Sequence, residues 1–276
     1  MLTDVFAPLL TYPDAEDEGF VDEVVRFAGQ FATSVAFCAF EIDIPEIVYS
    51  FGAEVFDVSA LIADAEKLSH ANAGRLMKHI AAIGGALPVT SSKTRIRQDQ
   101  VTRAVTTMAQ LRDLSMVQLV PNAVGQRQIA EGLIFGSGRP VVALPKTQER
   151  TWTIDSVAVA WDGSRAAIRA VHDAMGILTL AKSVTILTAF GDKAIGDGAV
   201  AGLAGYLSRH GIKARHHDIR SSGVPIGTAL QNGAIDHGVG LLVMGAFGHS
   251  RIREFVLGGA TRSILDDLRL PIFVSH

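Results

Sequence analysis

The sequence predicts an α/β protein built as two tandem three-layer α/β/α domains, each with a five-stranded parallel sheet, and three observations carry that expectation. Apolar runs of strand length alternate with amphipathic stretches of helix length, the order that builds parallel βαβ units. The pattern runs through twice, closing on Arg139-Pro140-Val141-Val142 and again, about 130 residues later, on Arg269-Leu270-Pro271-Ile272. Length agrees, because 276 residues suit two domains of ordinary size better than one.

In the first half, residues 1–10 read as a strand and 11–18 as an acidic turn. A helix follows in which Phe20, Val24, Phe27 and Phe31 share a face. Residues 35–44 are a second strand, and the Ala-rich 54–85, with Leu61, Leu68, Leu76 and Ile80, predict a long helix. A strand at 88–97 is too polar to be central. Then come a helix at 98–111, a strand at 116–120, a helix at 129–135 and a strand at 140–144. The polar connector KTQERT, 146–151, marks the boundary, giving domains 1–147 and 151–276. Beyond it, strands at 154–160, 183–189, 212–219, 240–244 and 271–275 alternate with helices at 164–178, 197–209, 224–237 and 258–268. Ile168, Val171, Met175 and Leu178 form the apolar stripe of the first of these helices. Both closing strands are short, apolar and in need of cover, so the halves are expected to pack through 141–144 and 272–274.

Composition narrows the function classes. At 48% hydrophobic and 19% charged residues the chain has the material for a large core. Its mean hydropathy of +0.29 raises the question of a membrane, yet no apolar run approaches the ~20 residues of a spanning helix. The start, MLTDVFAPLL, has neither a basic leader nor a cleavage site, so a cytoplasmic protein is expected. A net charge of -3 and a pI near 6.3 supply no basic footprint for nucleic acid. Cys38 is the lone cysteine and sits in the apolar run VAFCAF, the setting of an inert buried thiol.

The most informative stretch is LLVMGAFGHSRIREFVLGGATRSILDDL, residues 241–268. An apolar strand closes on Gly245. After two intervening residues comes Gly248, and after nine more the pair Gly258-Gly259, at the start of a helix carrying Thr261, Ile264, Leu265 and Leu268. The first N–H groups of a helix lack partners, and together with the helix dipole they favour an anion such as phosphate. Earlier, VAVAWDGS at 157–164 is a strand followed by an Asp-Gly-Ser turn, in which Ser164 is a good helix cap.

The glycine spacing resembles the nucleotide-binding loop of the universal stress protein family. VAVAWDGS is similar to that family's first strand and turn, and Leu270-Pro271-Ile272-Phe273-Val274 to its last strand. The resemblance covers about the last 120 residues, and the internal duplication resembles the family's tandem members. It implies an adenine nucleotide α-hydrolase-like (Rossmann-like) fold and a nucleotide-binding set of Asp162, Gly245, Gly248, His249, Ser250, Gly258, Gly259 and Thr261. In the family an aspartate placed like Asp162 contacts the adenosine part, while the loop and helix start cradle phosphates. The ligand implied is ATP or another adenine nucleotide, with Mg²⁺ as its companion ion, and the assembly implied is a homodimer. One position departs from the family pattern: Gly259 stands where Ser or Thr is usual, which removes a hydroxyl. Arg251 and Arg253 are the residues that would compensate by pairing with phosphate.

The first half has Pro121-Asn122-Ala123-Val124-Gly125 where the second has its loop, and Thr11-Tyr12-Pro13-Asp14 where the second has Asp162-Gly163-Ser164. It reads as a degenerate copy, so one nucleotide per chain is expected. The family role implied is a binding and signalling module in stress adaptation, with at most weak ATPase or autophosphorylation activity. Two rivals stand beside it. One is a nucleotide-hydrolysing or phosphotransferring enzyme of the same fold, and the other is a nucleotide-free interaction protein with a relic loop. Against the enzyme, the Ser-Gly-Gly-x-Asp-Ser loop of related ATP pyrophosphatases is replaced by Trp161-Asp162-Gly163-Ser164. His249 has no identified catalytic partner, and His216 and His217 fall on opposite faces of a strand. Metal-ligand spacings, the Walker loop and the Gly-x-Ser-x-Gly turn are missing.

Overall fold

The computed structural model describes residues 2–45, 57–146, 151–190, 197–221, 223–246 and 259–276. Its first half contains β1 (Val5–Leu10), α1 (Glu18–Ala28), β2 (Val35–Asp43), α2 (Val58–Ala82), β3 (Val89–Arg97), α3 (Val101–Ala109), β4 (Leu114–Leu119), α4 (Val124–Gly136) and β5 (Val141–Pro145). The second contains β6 (Ser156–Ala160), α5 (Arg165–Asp173), α6 (Met175–Leu178), β7 (Ser183–Phe190), α7 (Asp197–Arg209), β8 (Ala214–Arg220), α8 (Ile226–Asp236), β9 (Leu241–Gly245), α9 (Gly259–Asp266) and β10 (Ile272–Ser275). The connector at 147–150 lies outside the described residues.

Each half is a parallel sheet with helices on its faces, but the two sheets are one. The strand order is β3-β2-β1-β4-β5-β10-β9-β6-β7-β8. All pairs are parallel except β5 with β10, which run antiparallel with Ile272 beside Ala143, Phe273 beside Val142 and Val274 beside Val141. The closing strands do join the halves, by continuing the ladder. That satisfies backbone groups that an edge would leave to water, and it buries β5 and β10 completely. The seam is reinforced on one flank by an ion pair between Arg127 of α4 and Asp266 of α9. Elsewhere the Gln30 side chain, beyond the end of α1, donates to Trp152 O at 3.1 Å and accepts from Ile154 N at 2.9 Å.

Local chemistry accounts for the element ends. Asp17 caps α1 by accepting from Phe20 N, and Ser164 caps α5 by accepting from Ala167 N. β3 is an edge strand, as its polarity predicts, and guards its open side with Lys93 and Arg95 paired to Glu41, Asp43 and Glu66. Three side chains depart from the sequence reading. Leu61 and Leu68 of α2 are 60% and 51% exposed and Ile168 of α5 is 54% exposed, whereas Leu76, Ile80, Val171 and Leu178 are buried. For α2 the cause is size: Ala65, Ser69 and Ala73 form the buried stripe with Leu76 and Ile80, so small residues sit against the sheet. Among the described residues no helix is long and apolar enough to cross a membrane.

Gly74 of α2 and Gly202 of α7 have open space where a side chain would be. Glycine loses more conformational freedom on folding than alanine, so Gly74→Ala and Gly202→Ala should each raise stability by ~0.5–1 kcal/mol. Urea denaturation curves of the two variants check this, and a loss of stability would refute it.

Candidate functional site

In an open α/β sheet the crevice for a ligand forms at the carboxyl ends of the strands, where the chain order reverses. In the second half that point lies between β6 and β9, because β6 leads outward to β7 on one side and pairs with β9 on the other. A cavity of about 320 Å³ opens there. Its floor is strand ends: Ala160 of β6, Leu187 and Ala189 of β7, and Met244 of β9. Pro225, Ile226 and Leu230, at the start of α8, form one wall. Trp161 flanks the opening, its indole N–H donating to Ala199 O of α7 at 3.2 Å. Asp162, Ala167, Gly245, Gly259, Ala260 and Thr261 complete the described lining.

Four of the sequence-predicted site residues are thus brought together: Asp162, Gly245, Gly259 and Thr261. Gly248, His249, Ser250 and Gly258, with Arg251 and Arg253, lie outside the described residues. Asp162 reaches the cavity from a turn it helps to build. Its Oδ1 accepts from Ser164 N at 2.8 Å, and Gly163 between them adopts φ +74°, a conformation that penalises a side chain. Turn-building and cavity-lining therefore coexist in one residue. Thr261, on the first turn of α9, is 2% exposed and lines the cavity.

The two described glycines are there for different reasons. At Gly245 a Cβ would lie 2.3 Å from Ala166 C and 2.4 Å from Ala167 N, the backbone of the first turn of α5. Its lack of a side chain is what lets α5 sit against the end of β9. At Gly259 a Cβ would meet nothing within 4 Å. Among the described residues no packing contact demands glycine there, and the hydroxyl that the resemblance leads one to expect is missing.

Sequence reasoning places a helix at 224–237, where α8 lies, but misses its part in the site. Its Gly227 lies so close to α9 that a Cβ would come 2.3 Å from Ala260 O, and the fully buried Gln231 donates to Asp267 O and accepts from Arg269 N, both at 2.8 Å. These contacts fix α9, and with it the far side of the cavity, relative to the α8 wall. A buried glutamine in an otherwise apolar helix was the available signal, since such a group must find partners.

The first half shows what closing such a crevice requires. Aligning the halves on Pro140 and Pro271 and following the strand register inward matches Val141 to Ile272, Ser115 to Leu242, Leu114 to Leu241 and Val5 to Val157. Five residues on, Leu10 stands in the place of Asp162, and Gln118 in the place of Gly245. This corrects the match of Thr11 with Asp162 by one residue. Leu10 is 6% exposed, and its Cδ1 lies 3.5 Å from where a Cβ of Gly125 would be, in the first turn of α4. An apolar side chain thus meets the helix start that an anion would need. Around it Thr11 donates to Phe40 O at 2.6 Å, leaving its lone pairs for Ser69, and Asn72 donates to Thr11 O at 3.0 Å.

Glu16, between β1 and α1, is 3% exposed and its Oε2 has no hydrogen-bond partner. Burial pushes its pKa well above the ordinary carboxylate range, against the opposing pull of backbone hydrogen bonds at Glu16 and Leu10. The folded state therefore binds this proton more tightly than the unfolded chain. Its stabilising effect is complete below the unfolded pKa of ~4.3 and is lost as pH rises through the higher folded value. Glu16→Gln should remove that dependence, so its stability advantage over the wild type should grow with rising pH. Urea midpoints measured from pH 4 upward check this; parallel curves for the two proteins would show that Glu16 does not hold its proton in the fold.

No family model and no curated protein matches the sequence. Among solved structures, the chain is similar to a universal stress protein from Archaeoglobus fulgidus DSM 4304, with 15% identity, a TM-score of 0.65, and coverage of 99% of this chain and 97% of that one. A putative universal stress protein from Pseudomonas aeruginosa UCBPP-PA14 is similar at 13% identity and TM-score 0.57, covering 99% and 93%. The fold is that of a tandem universal stress protein. Coverage of nearly the whole of both chains extends the likeness through the first half and across the seam, well beyond the last 120 residues in which the sequence motifs lie. Within this universal stress protein fold, an open crevice lies in the second half, and in the first half buried Leu10 stands in the place of Asp162.

Proposed function

We propose that the second half binds ATP or a related adenine nucleotide in the cavity between β6 and β9, and that the protein acts as a nucleotide-responsive binding module in stress adaptation. The observation that carries this reading is the meeting of Asp162, the apolar floor and the first turn of α9 at one switch point. The chemistry fits: a flat base takes the apolar floor, Asp162 accepts from a sugar hydroxyl, and the start of α9 faces the phosphate end. Mg²⁺ would enter with the nucleotide. Homodimerisation and a cytoplasmic location belong to the same proposal, and sedimentation equilibrium tests the former.

Thermal unfolding with ATP, ADP and AMP tests the binding. A ligand at 100 times its Kd should add ~2.7 kcal/mol of apparent stability. Asp162→Ala should cut affinity by the ~1.5–3 kcal/mol of a hydrogen bond to a charged group, whereas Ser164→Ala, which weakens only the cap of α5, should lower stability by ~1 kcal/mol and spare affinity. No shift with any of the three nucleotides would end the proposal.

A further inference from the structure

We infer that His216, Asp218 and Thr188 form a site for a divalent cation of the zinc class, which clips β8 to β7. The alternation that puts His216 and His217 on opposite faces of β8 puts His216 and Asp218 on the same one. His217 turns toward α8, where its ring stacks 4.2 Å from that of His237, and Ile219 on that face reaches Gly233. On the other face three donor atoms converge. Thr188 Oγ1 lies 2.5 Å from Asp218 Oδ1 and 2.8 Å from His216 Nε2, and those two lie 3.1 Å apart. Metal–ligand bonds of ~2.0–2.2 Å set neighbouring ligand atoms roughly 3 Å apart, so this triangle matches one face of a small coordination polyhedron. A mixed imidazole and carboxylate set suits zinc, whereas magnesium and calcium take oxygen ligands. The ladder holds the three in place, with Thr188 beside Asp218 and Ile186 beside His216, and Thr188 is wholly buried. The side chains of His216 and Asp218 are 36% and 51% exposed, which leaves room for water to complete the coordination.

The other histidine–carboxylate pairs are arranged differently. Asp22 and Glu18 face opposite ring nitrogens of His79, Glu41 beside His70 is already held by Lys93, and Asp173 near His172 by Arg169. Among the described residues no three His, Cys, Asp or Glu side chains are grouped to hold a metal, so the site is an open one of modest affinity with a hydroxyl in third place. Leu187 and Ala189, on either side of Thr188 along β7, line the cavity, so the clip also stiffens part of its floor.

The test needs no nucleotide: zinc chloride is titrated calorimetrically into the full chain, purified without a histidine tag and stripped of metal by a chelator. The wild type is expected to bind one more equivalent of zinc than His216→Ala, and Asp218→Asn to weaken that equivalent by at least about tenfold. Zinc should also raise the melting temperature more in the wild type than in His216→Ala. His217→Ala, on the opposite face, is expected to keep the site. All three positions are at least partly exposed, so the variants should fold, which circular dichroism checks. No zinc bound by the wild type overturns the inference, as does an isotherm unchanged in His216→Ala or Asp218→Asn, or an equal loss in His217→Ala.

Discussion

Gly245→Ala is expected to cost about 3 kcal/mol of stability, and with it most of the affinity for nucleotide. The added methyl would stand 2.3 Å from Ala166 C and 2.4 Å from Ala167 N. Both are backbone atoms in the capped first turn of α5, so no side-chain rotation can relieve the overlap. Either β9 or α5 has to move, and overpacking of this kind costs ~1–3 kcal/mol, sometimes more. The displacement acts directly on the site, because Gly245, Ala167 and Asp162 all line the cavity. Far-UV circular dichroism with urea denaturation measures the first effect, and titration of the folded variant the second. Wild-type stability and affinity together would show that α5 yields freely and that Gly245 is not what seats it.

Phe273→Ala should be larger still, at ~3–5 kcal/mol for a fully buried aromatic side chain. Phe273 is 0% exposed and lies on β10 between Val142 of β5 and Val243 of β9. With a typical total of ~5–15 kcal/mol to draw on, that loss is a large share of the whole. Its location adds a second expectation. Since β5 and β10 share one ladder, the halves should melt together in the wild type and come apart in the variant. Trp152 is held by Gln30 of the first half, so in a Trp152→Phe background the fluorescence of Trp161, at the second-half cavity, follows the second half while circular dichroism follows both. Coincident transitions in the wild type and separated ones in Phe273→Ala are the expected result. Separated transitions in the wild type would show that the seam does not make the halves one cooperative unit.

Nearly every strand and helix was legible in the sequence because alternating βαβ units write their periodicity plainly. Phe20, Val24 and Phe27 face the core as read. What misled was a residue type taken without its neighbours: Leu61, Leu68 and Ile168 looked like core, and alanines and serines took the contact with the sheet instead. The crevice was half legible. Asp162 and Gly245 announce themselves by turn chemistry and spacing, and the structure brings them to one cavity. Its α8 wall did not, because Ile226 and Leu230 are ordinary apolar residues whose role depends on where the sheet carries them. Nor could spacing show that Gly245 answers to a helix while no described residue crowds Gly259, a distinction that exists only between elements distant in sequence.

The antiparallel seam also bears on how the chain is made. β5 finds its partner β10 only when residues about 130 positions later have been synthesised, since Ala143 pairs with Ile272. At the usual ~5–20 residues per second of translation, this interval is roughly 6 to 26 s. Throughout it a finished first half would carry Val141, Val142, Ala143 and Leu144 along a bare strand edge, an adhesive strip. Neighbouring chains emerging on one messenger would present identical strips, and β5 pairing with β5 would be the wrong product nearest to hand. Slowing translation beyond β5 should therefore raise aggregation of the newly made protein.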